Sequence, residues 1–230
     1  MPTNNITLLI GTCDKYSFLW DNFKTLEKKY IDLPDSPKIV FTESLDFGEG
    51  YTMSHLDDPH WSNLLSNALK EVTTEFVFFV LEDYFFTQKI TNDDFERITQ
   101  AMGKHGVDKF MFSGPKALAH HNVTPMRPIV ALTLAGNQYL QHISSQYITS
   151  VQPSIWKTDY LRECVEKNWT AWEFEIEGSK GRAGYLQHTI AYHMPENLFF
   201  NVVKQGFTAN PGWEEIKERE NLQSLVFPKK

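Results

Sequence analysis

The sequence predicts an α/β fold, a single domain in which a mixed, Rossmann-like sheet is flanked by helices. Three observations carry that expectation. The run Phe76-Val77-Phe78-Phe79-Val80-Leu81 is apolar without a break and ends at Glu82 and Asp83, as a strand buried on both faces does. Strand-like runs alternate with helical apolar stripes through the first half. No Pro/Gly/Ser-rich or charge-rich run divides the 230 residues, which suffice for one large core.

The elements follow in order. Ile6-Thr7-Leu8-Leu9-Ile10-Gly11-Thr12 reads as a buried strand, and Tyr16, Leu19, Trp20, Phe23, Leu26 and Tyr30 follow at helical spacing. Lys38-Ile39-Val40-Phe41-Thr42 is the second strand, entered after Pro34 and Pro37. Gly48, Gly50, Asp57, Asp58 and Pro59 then mark a long loop. Trp61, Leu64, Leu65, Ala68, Leu69 and Val72 form a helical stripe that feeds into the strand ending at Glu82 and Asp83. A further helix is expected from about Asp93 to Met102, with Thr91 or Asn92 as its N-cap. The second half is less regular: Lys109 to Ser113, Ile129 to Leu134 and Tyr147 to Val151 have strand character, and Thr158 can cap a helix to about Lys167. A nucleotide-binding half, about 1–113, and a second-substrate half, about 114–230, are the expected organisation.

Composition narrows the function classes. The formal net charge is −7 and no basic stripe appears, which argues against a nucleic-acid binder. Two cysteines, Cys13 and Cys164, read as buried thiols in a reducing compartment rather than as a disulfide scaffold. No run approaches the ~20 apolar residues of a membrane span, and no basic n-region precedes an apolar core. A soluble, cytoplasmic protein is expected, with peripheral membrane contact left open. Aromatics are 14% of the chain; most of the 17 Phe residues belong to the core, and those beside polar groups can stack on bases or sugars.

The chemistry begins with what is missing. Gly11-Thr12-Cys13-Asp14-Lys15-Tyr16 has one glycine where a dinucleotide fingerprint has three, and no phosphate loop ending in Gly-Lys-Ser/Thr occurs. A diphosphate bound here needs its charge neutralised otherwise, and a cation on carboxylates at a strand end does so. Asp83 is the leading ligand, with Glu82 beside it; the plain alternative is a solvated turn.

Four motifs in order carry a family resemblance: Cys13-Asp14-Lys15-Tyr16 with Leu19-Trp20; Leu81-Glu82-Asp83-Tyr84-Phe85; Gln152-Pro153-Ser154-Ile155-Trp156; and Trp172-Glu173-Phe174-Glu175 leading to Gly178-Ser179. Together they resemble GT-A-type glycosyltransferases of bacterial or viral surface glycans, over most of residues 6 to 182. The resemblance implies a GT-A-like fold, a nucleoside diphosphate sugar as donor, a glycan or lipid-linked acceptor, and Mn²⁺ or Mg²⁺ as cofactor. It places Thr12, Asp14 and Tyr16 at the nucleotide, with Glu82 and Asp83, and makes Asp83 the last acid of an Asp-X-Asp-like metal motif that here reads Leu-Glu-Asp. Asp14 reads alternatively as a loop acid capping the following helix.

Transfer by an inverting route needs one carboxylate to take the acceptor proton, and a neighbouring aromatic can pack the sugar. Glu173 and Glu175 qualify by type, and helical geometry lets at most one of them enter the site. The resemblance favours Glu175, from its Phe-Glu-X-X-Gly-Ser pattern; otherwise all are solvated helix acids. Trp156 and Trp172 are the candidate acceptor-binding aromatics. His188 and His193 are five apart, which is not the helical pair of a zinc site. The resemblance makes either of them, with His188 preferred, a candidate late metal ligand, and a structural histidine is the alternative for each. A sugar-phosphate nucleotidyltransferase, which shares the nucleotide-binding half, is the runner-up, disfavoured because the usual Gly-rich, Arg-containing loop is missing after the first strand. A noncatalytic carbohydrate- or nucleotide-binding protein would keep the aromatics and strand-end acids without a base.

Overall fold

The structure, a computed structural model, describes residues 5–58, 60–112, 124–133, 137–144, 149–182, 189–192, 198–204 and 208–227. Its centre is β1 (Ile6–Gly11), buried throughout, with parallel neighbours β2 (Lys38–Thr42) and β4 (Phe76–Leu81) on its two sides. β3 (Thr52–His55), β6 (Val107–Met111), β9 (Ser154–Lys157) and β10 (Thr189–Tyr192) complete a seven-stranded sheet in the order β10-β6-β9-β4-β1-β2-β3. β9 runs antiparallel to both β4 and β6, so the sheet is mixed. The fold class expected from the sequence is therefore the one observed.

Strand periodicity explains the two-sided core. Leu8, Ile10, Phe76, Phe78 and Val80 point to one face, where they join Phe23 and Leu26 of α1 (Trp20–Tyr30), Phe95 and Ile98 of α3 (Asn92–His105), and Trp213 of a C-terminal helix. Leu9, Val77 and Phe79 point to the other, onto Leu65 of α2 (Trp61–Leu69), Leu161 of α4 (Thr158–Cys164) and Phe174 of α5 (Ala171–Arg182). A strand whose alternate residues both meet apolar layers has to be apolar at every position, as residues 76–81 are.

Capping chemistry sets α3. Thr91 and Asp94 form a reciprocal capping box, and Gly106 ends the helix in the left-handed region at φ 65°. Other boundaries differ from expectation. Residues 14–19 form a 3-10 helix ahead of α1, and β3 lies within the stretch expected to be loop, paired parallel to β2. Thr158 begins α4 rather than capping it, because its hydroxyl donates to the Thr74 carbonyl at 2.7 Å, and the helix stops at Cys164. Of the strand expected over 147–151, residues 149–151 are unpaired and 147–148 lie outside the described residues.

Close approach at Gly11 tightens the sheet edge that faces the candidate site. A Cβ there would lie 2.6 Å from the Phe41 ring and 2.9 Å from Leu81 Cδ2. Gly11→Ala is expected to destabilise by about 1–3 kcal/mol through overpacking, read as a lowered urea midpoint with unchanged m-value. An unchanged midpoint would mean that the strands can part at no cost.

The chain then adds a second layer on the β1 and β4 ends. β5 (Tyr84–Phe86) leaves the sheet after Asp83 and pairs antiparallel with β11 (Phe199–Asn201), placing Asn201 opposite Tyr84. β7 (Thr124–Thr133) and β8 (Asn137–Ser144) pair antiparallel in a separate two-stranded sheet, and β12 (Val203–Lys204) pairs with β13 (Thr208–Ala209). Finally α6 (Trp213–Glu220) and residues 221–227 lie along α1. Glu220 accepts from Lys29 at 2.6 Å and Tyr30 at 2.7 Å, and Asn22 exchanges two hydrogen bonds with the backbone of Gln223.

Candidate functional site

The C-terminal edge of β1, β2 and β4 gathers the strand-end acids, the position where open α/β sheets receive ligands. Glu82 N–H donates to the Gly11 carbonyl at 3.3 Å, which holds the end of β4 against the end of β1. Trp20 Nε1 donates to Thr12 Oγ1 at 2.8 Å, and Thr12 and Glu82 are both buried, at 3% and 4% exposure. Burial pushes the Glu82 carboxyl well above the usual range; the Asp83 charge adds to this and a hydrogen bond from Thr12 opposes it.

Among the described residues Asp83 is held by Asn201 and Val202. Its Oδ2 accepts from Asn201 Nδ2 at 3.3 Å and its carbonyl accepts from Val202 N at 2.8 Å. Asn201 Oδ1 is engaged by Val203 N at 3.1 Å, which turns the amide nitrogen toward Asp83. The other carboxylate oxygen, Oδ1, is buried and has no hydrogen-bond partner among the described residues. Burial, with the Glu175 charge adding to it, raises the Asp83 carboxyl to about 7 against its backbone and Asn201 hydrogen bonds. Tyr84 is pushed up by burial and by the same two carboxylates, so Glu175 stands within charge reach of β4's end.

A buried carboxyl with this shift makes stability pH-dependent, and the sign is definite. The folded chain keeps a proton that the unfolded chain releases near the ordinary value of about 4, so the stabilising contribution is complete below that pH and is lost as pH rises through about 7. Glu82 acts in the same direction. Between pH 5 and pH 8 the urea midpoint of the wild type is expected to fall more than that of Asp83→Asn. Parallel falls in the two proteins would show that Asp83 is not the titrating group.

Around this edge lie the other sequence-predicted donor residues. Asp14 does not cap the following helix, and its carboxylate is taken up by the loop after β2. It accepts from Thr42 Oγ1 at 2.9 Å, Ser44 Oγ at 2.5 Å, Ser44 N at 3.2 Å and Leu45 N at 3.0 Å, while Asp14 N donates to Glu43 Oε2 at 2.6 Å. Burial works against ionisation, but the hydrogen bonds from Ser44, Leu45 and Thr42 outweigh it and hold the carboxyl at about 2. Asp14 thus clamps two loops at the rim. Tyr16 is half-buried, raised by burial and then by Cys13, Glu82 and Asp83, which sets it beside the acid pair. Burial, with Glu82 and Glu43, pushes the Cys13 thiol up to about 12, which disfavours the thiolate.

The second group of candidates is on α5. Glu173 is exposed, and its Oε2 accepts from Thr170 N at 2.8 Å and Thr170 Oγ1 at 2.9 Å while Glu173 N donates to Thr170 Oγ1 at 3.2 Å. That is a capping box, so the Glu173 carboxylate is committed to Thr170 at the start of the helix. Glu175 Oε1 accepts from Val151 N at 2.8 Å and Ser150 Oγ at 3.2 Å; its Oε2 accepts nothing among the described residues. The rest of the Phe-Glu-X-X-Gly-Ser pattern docks α5 on residues 149–151. Thr149 Oγ1 donates to the Phe174 carbonyl at 2.6 Å, Ser179 Oγ donates to the Glu175 carbonyl at 2.5 Å, and a Cβ on Gly178 would meet Thr149 Oγ1 at 2.9 Å.

The two tryptophans separate. Trp172 is 68% exposed on α5, whereas Trp156, on the interior strand β9, is completely buried between Tyr160, Phe174 and Lys109. The acceptor-binding expectation for Trp156 is therefore corrected: an indole on β9 that faces the α2–α4–α5 layer belongs to the core. His188 lies outside the described residues, as do His193, His120 and His121. Among the described residues no group of three or more His, Cys, Asp or Glu is arranged to hold a metal, and no helix is long and apolar enough to cross a membrane. Asn201 was missed by the sequence reading; the available signal is a lone polar residue inside Leu198-Phe199-Phe200-Asn201-Val202-Val203.

No family model matches the chain, and no curated protein sequence does. Solved structures do match its fold. S. aureus TarS residues 1–349 aligns with a TM-score of 0.52 at 15% identity, over 84% of this chain and 59% of that one. The same TarS segment in complex with UDP-GlcNAc gives 0.51 at 15%, over 87% and 59%. A Pyrobaculum calidifontis mannosyltransferase in complex with GDP-Man and Mn²⁺ gives 0.55 at 10%, over 88% and 58%. The fold is thus GT-A-like, and at these identities the likeness extends to the fold alone. This chain spans 58% to 59% of the length of those structures.

Proposed function

We propose that the chain is a metal-assisted glycosyltransferase that moves a sugar from a nucleoside diphosphate donor to a glycan or lipid-linked acceptor. The observation that carries the reading is Asp83 Oδ1, a buried carboxylate oxygen without a partner among the described residues, at the strand edge where this fold receives ligands. Hard oxygen donors of this kind suit Mg²⁺ or Mn²⁺, and Asp83, with Glu82 behind it, is the residue that would hold the ion. When bound, such a cation neutralises the diphosphate leaving group.

The chain's own residues supply the rest. Glu175 takes the proton of the acceptor hydroxyl as the new oxygen–carbon bond forms and the anomeric carbon–diphosphate bond breaks. Its Oε1 is fixed by Ser150 and Val151, which leaves Oε2 for the acceptor. Trp172 packs the acceptor sugar, Tyr16 and Thr12 flank the donor, and Asp14 keeps the rim loops together. In this reading residues to about 113 carry the donor side and the remainder the acceptor side, with Asn201 crossing between them to hold Asp83.

Calorimetry with a panel of nucleoside diphosphate sugars, in Mn²⁺ and in excess chelator, tests the donor half, followed by turnover assays on each binder. Metal-dependent binding with release of the nucleoside diphosphate is expected. Metal-dependent binding without any turnover would favour the noncatalytic binding protein, and no binding in either condition would overturn the proposal.

A further inference from the structure

Lys109 is the one lysine or arginine found among the buried residues described. It lies on β6 opposite Trp156 of β9 in the antiparallel register, with Nζ 4.0 Å from the centre of the indole ring. The same ammonium donates to the Ser150 carbonyl at 2.7 Å. Burial draws this amine down to about 7 against the opposing charges of Cys164 and Glu175. An apolar side chain of equal volume serves a core as well as a buried charge does or better, so packing gives no reason for a lysine here.

What the ammonium reaches is the backbone that holds Glu175. Ser150 Oγ and Val151 N both donate to Glu175 Oε1, at 3.2 and 2.8 Å, and the neighbouring Thr149 locks the same turn to α5 through the Phe174 carbonyl and Ser179. The Ser150 carbonyl that Lys109 grips belongs to the peptide whose nitrogen is Val151 N. Fixing one end of that planar unit fixes the direction of the other.

We propose that Lys109 is a positioning residue: by holding the Ser150 carbonyl it aims the Val151 N–H that orients the Glu175 carboxylate within charge reach of Asp83. The inference rests on the transferase reading of the cluster. Lys109 itself touches neither donor nor acceptor.

Lys109→Met keeps the volume and removes the charge, and Lys109→Gln keeps a donor for the Ser150 carbonyl. In Lys109→Met, kcat is expected to fall by about 10- to 100-fold with the donor KM within about twofold, and Lys109→Gln should recover part of the loss. Glu175→Gln should cost less in the Lys109→Met background than in the wild type, since both act on one group. Independently of activity, the Val151 amide should exchange its hydrogen at least about tenfold faster in Lys109→Met while β1 amides stay as they were. Unchanged Val151 protection, or kinetic effects that multiply fully, would overturn the role of Lys109 in an enzyme that still turns over. Where Lys109→Met does not fold, Lys109→Gln is read by the same two measurements. Absence of turnover in the wild type itself, with every donor that binds, would instead overturn the transferase reading and leave the exchange result as a statement about the turn.

Discussion

Glu175→Gln is expected to lower turnover by about 10² to 10⁴, the contribution of a positioned general base, while leaving donor affinity close to wild type. The substitution isolates chemistry from architecture. Glutamine retains a carbonyl oxygen able to accept from Val151 N and Ser150 Oγ, so the contacts that dock α5 on residues 149–151 can persist while the basic oxygen is lost. Steady-state kinetics with a thermal melt decides it: a fall in kcat with an unchanged melt supports the base, and near-normal turnover would make Glu175 a docking residue alone. Glu173→Gln is the internal control. Its effect should be mild, because glutamine also serves at the third position of a capping box with Thr170. A large loss there with a mild one at Glu175 would move the role one residue pair along the helix.

Asp83→Asn is expected to weaken nucleoside diphosphate binding in Mn²⁺ or Mg²⁺ by at least about tenfold, or about 1.4 kcal/mol. The shape of the side chain is kept and the charge that would hold a cation on the diphosphate is removed. Folding should survive, since asparagine relieves a buried carboxyl that is already raised to about 7 by its surroundings. Titrations of both proteins in metal and in chelator give four affinities. The proposal expects three of them to be weak and one strong; equal affinity of the wild type with and without metal would remove the cation from the argument, and unchanged affinity in the mutant would remove Asp83.

The elements most legible in the sequence were those set by neighbours along the chain. The apolar run 76–81 declared itself because every residue of a strand with apolar layers on both sides must be apolar. Thr91, with Asn92 as the alternative, marked the start of α3 because an N-cap closes on the first turn of its own helix. The placing of Glu82 and Asp83 at a strand end followed from the same run, and so did the α/β class. Tertiary contacts alone decided which chemically equivalent residues can face a ligand. Trp156 and Trp172 differ in nothing but place: one lies on a strand between two layers, the other on the open side of a helix. Glu173 and Glu175 were separated by a cap on one and a docked turn on the other. Asp14 was committed by residues of another loop, and Asp83 met an asparagine 118 positions away. Such pairings depend on strand register and on how β5 and β11 close over the sheet edge, long-range geometry that no local pattern of polar and apolar residues encodes.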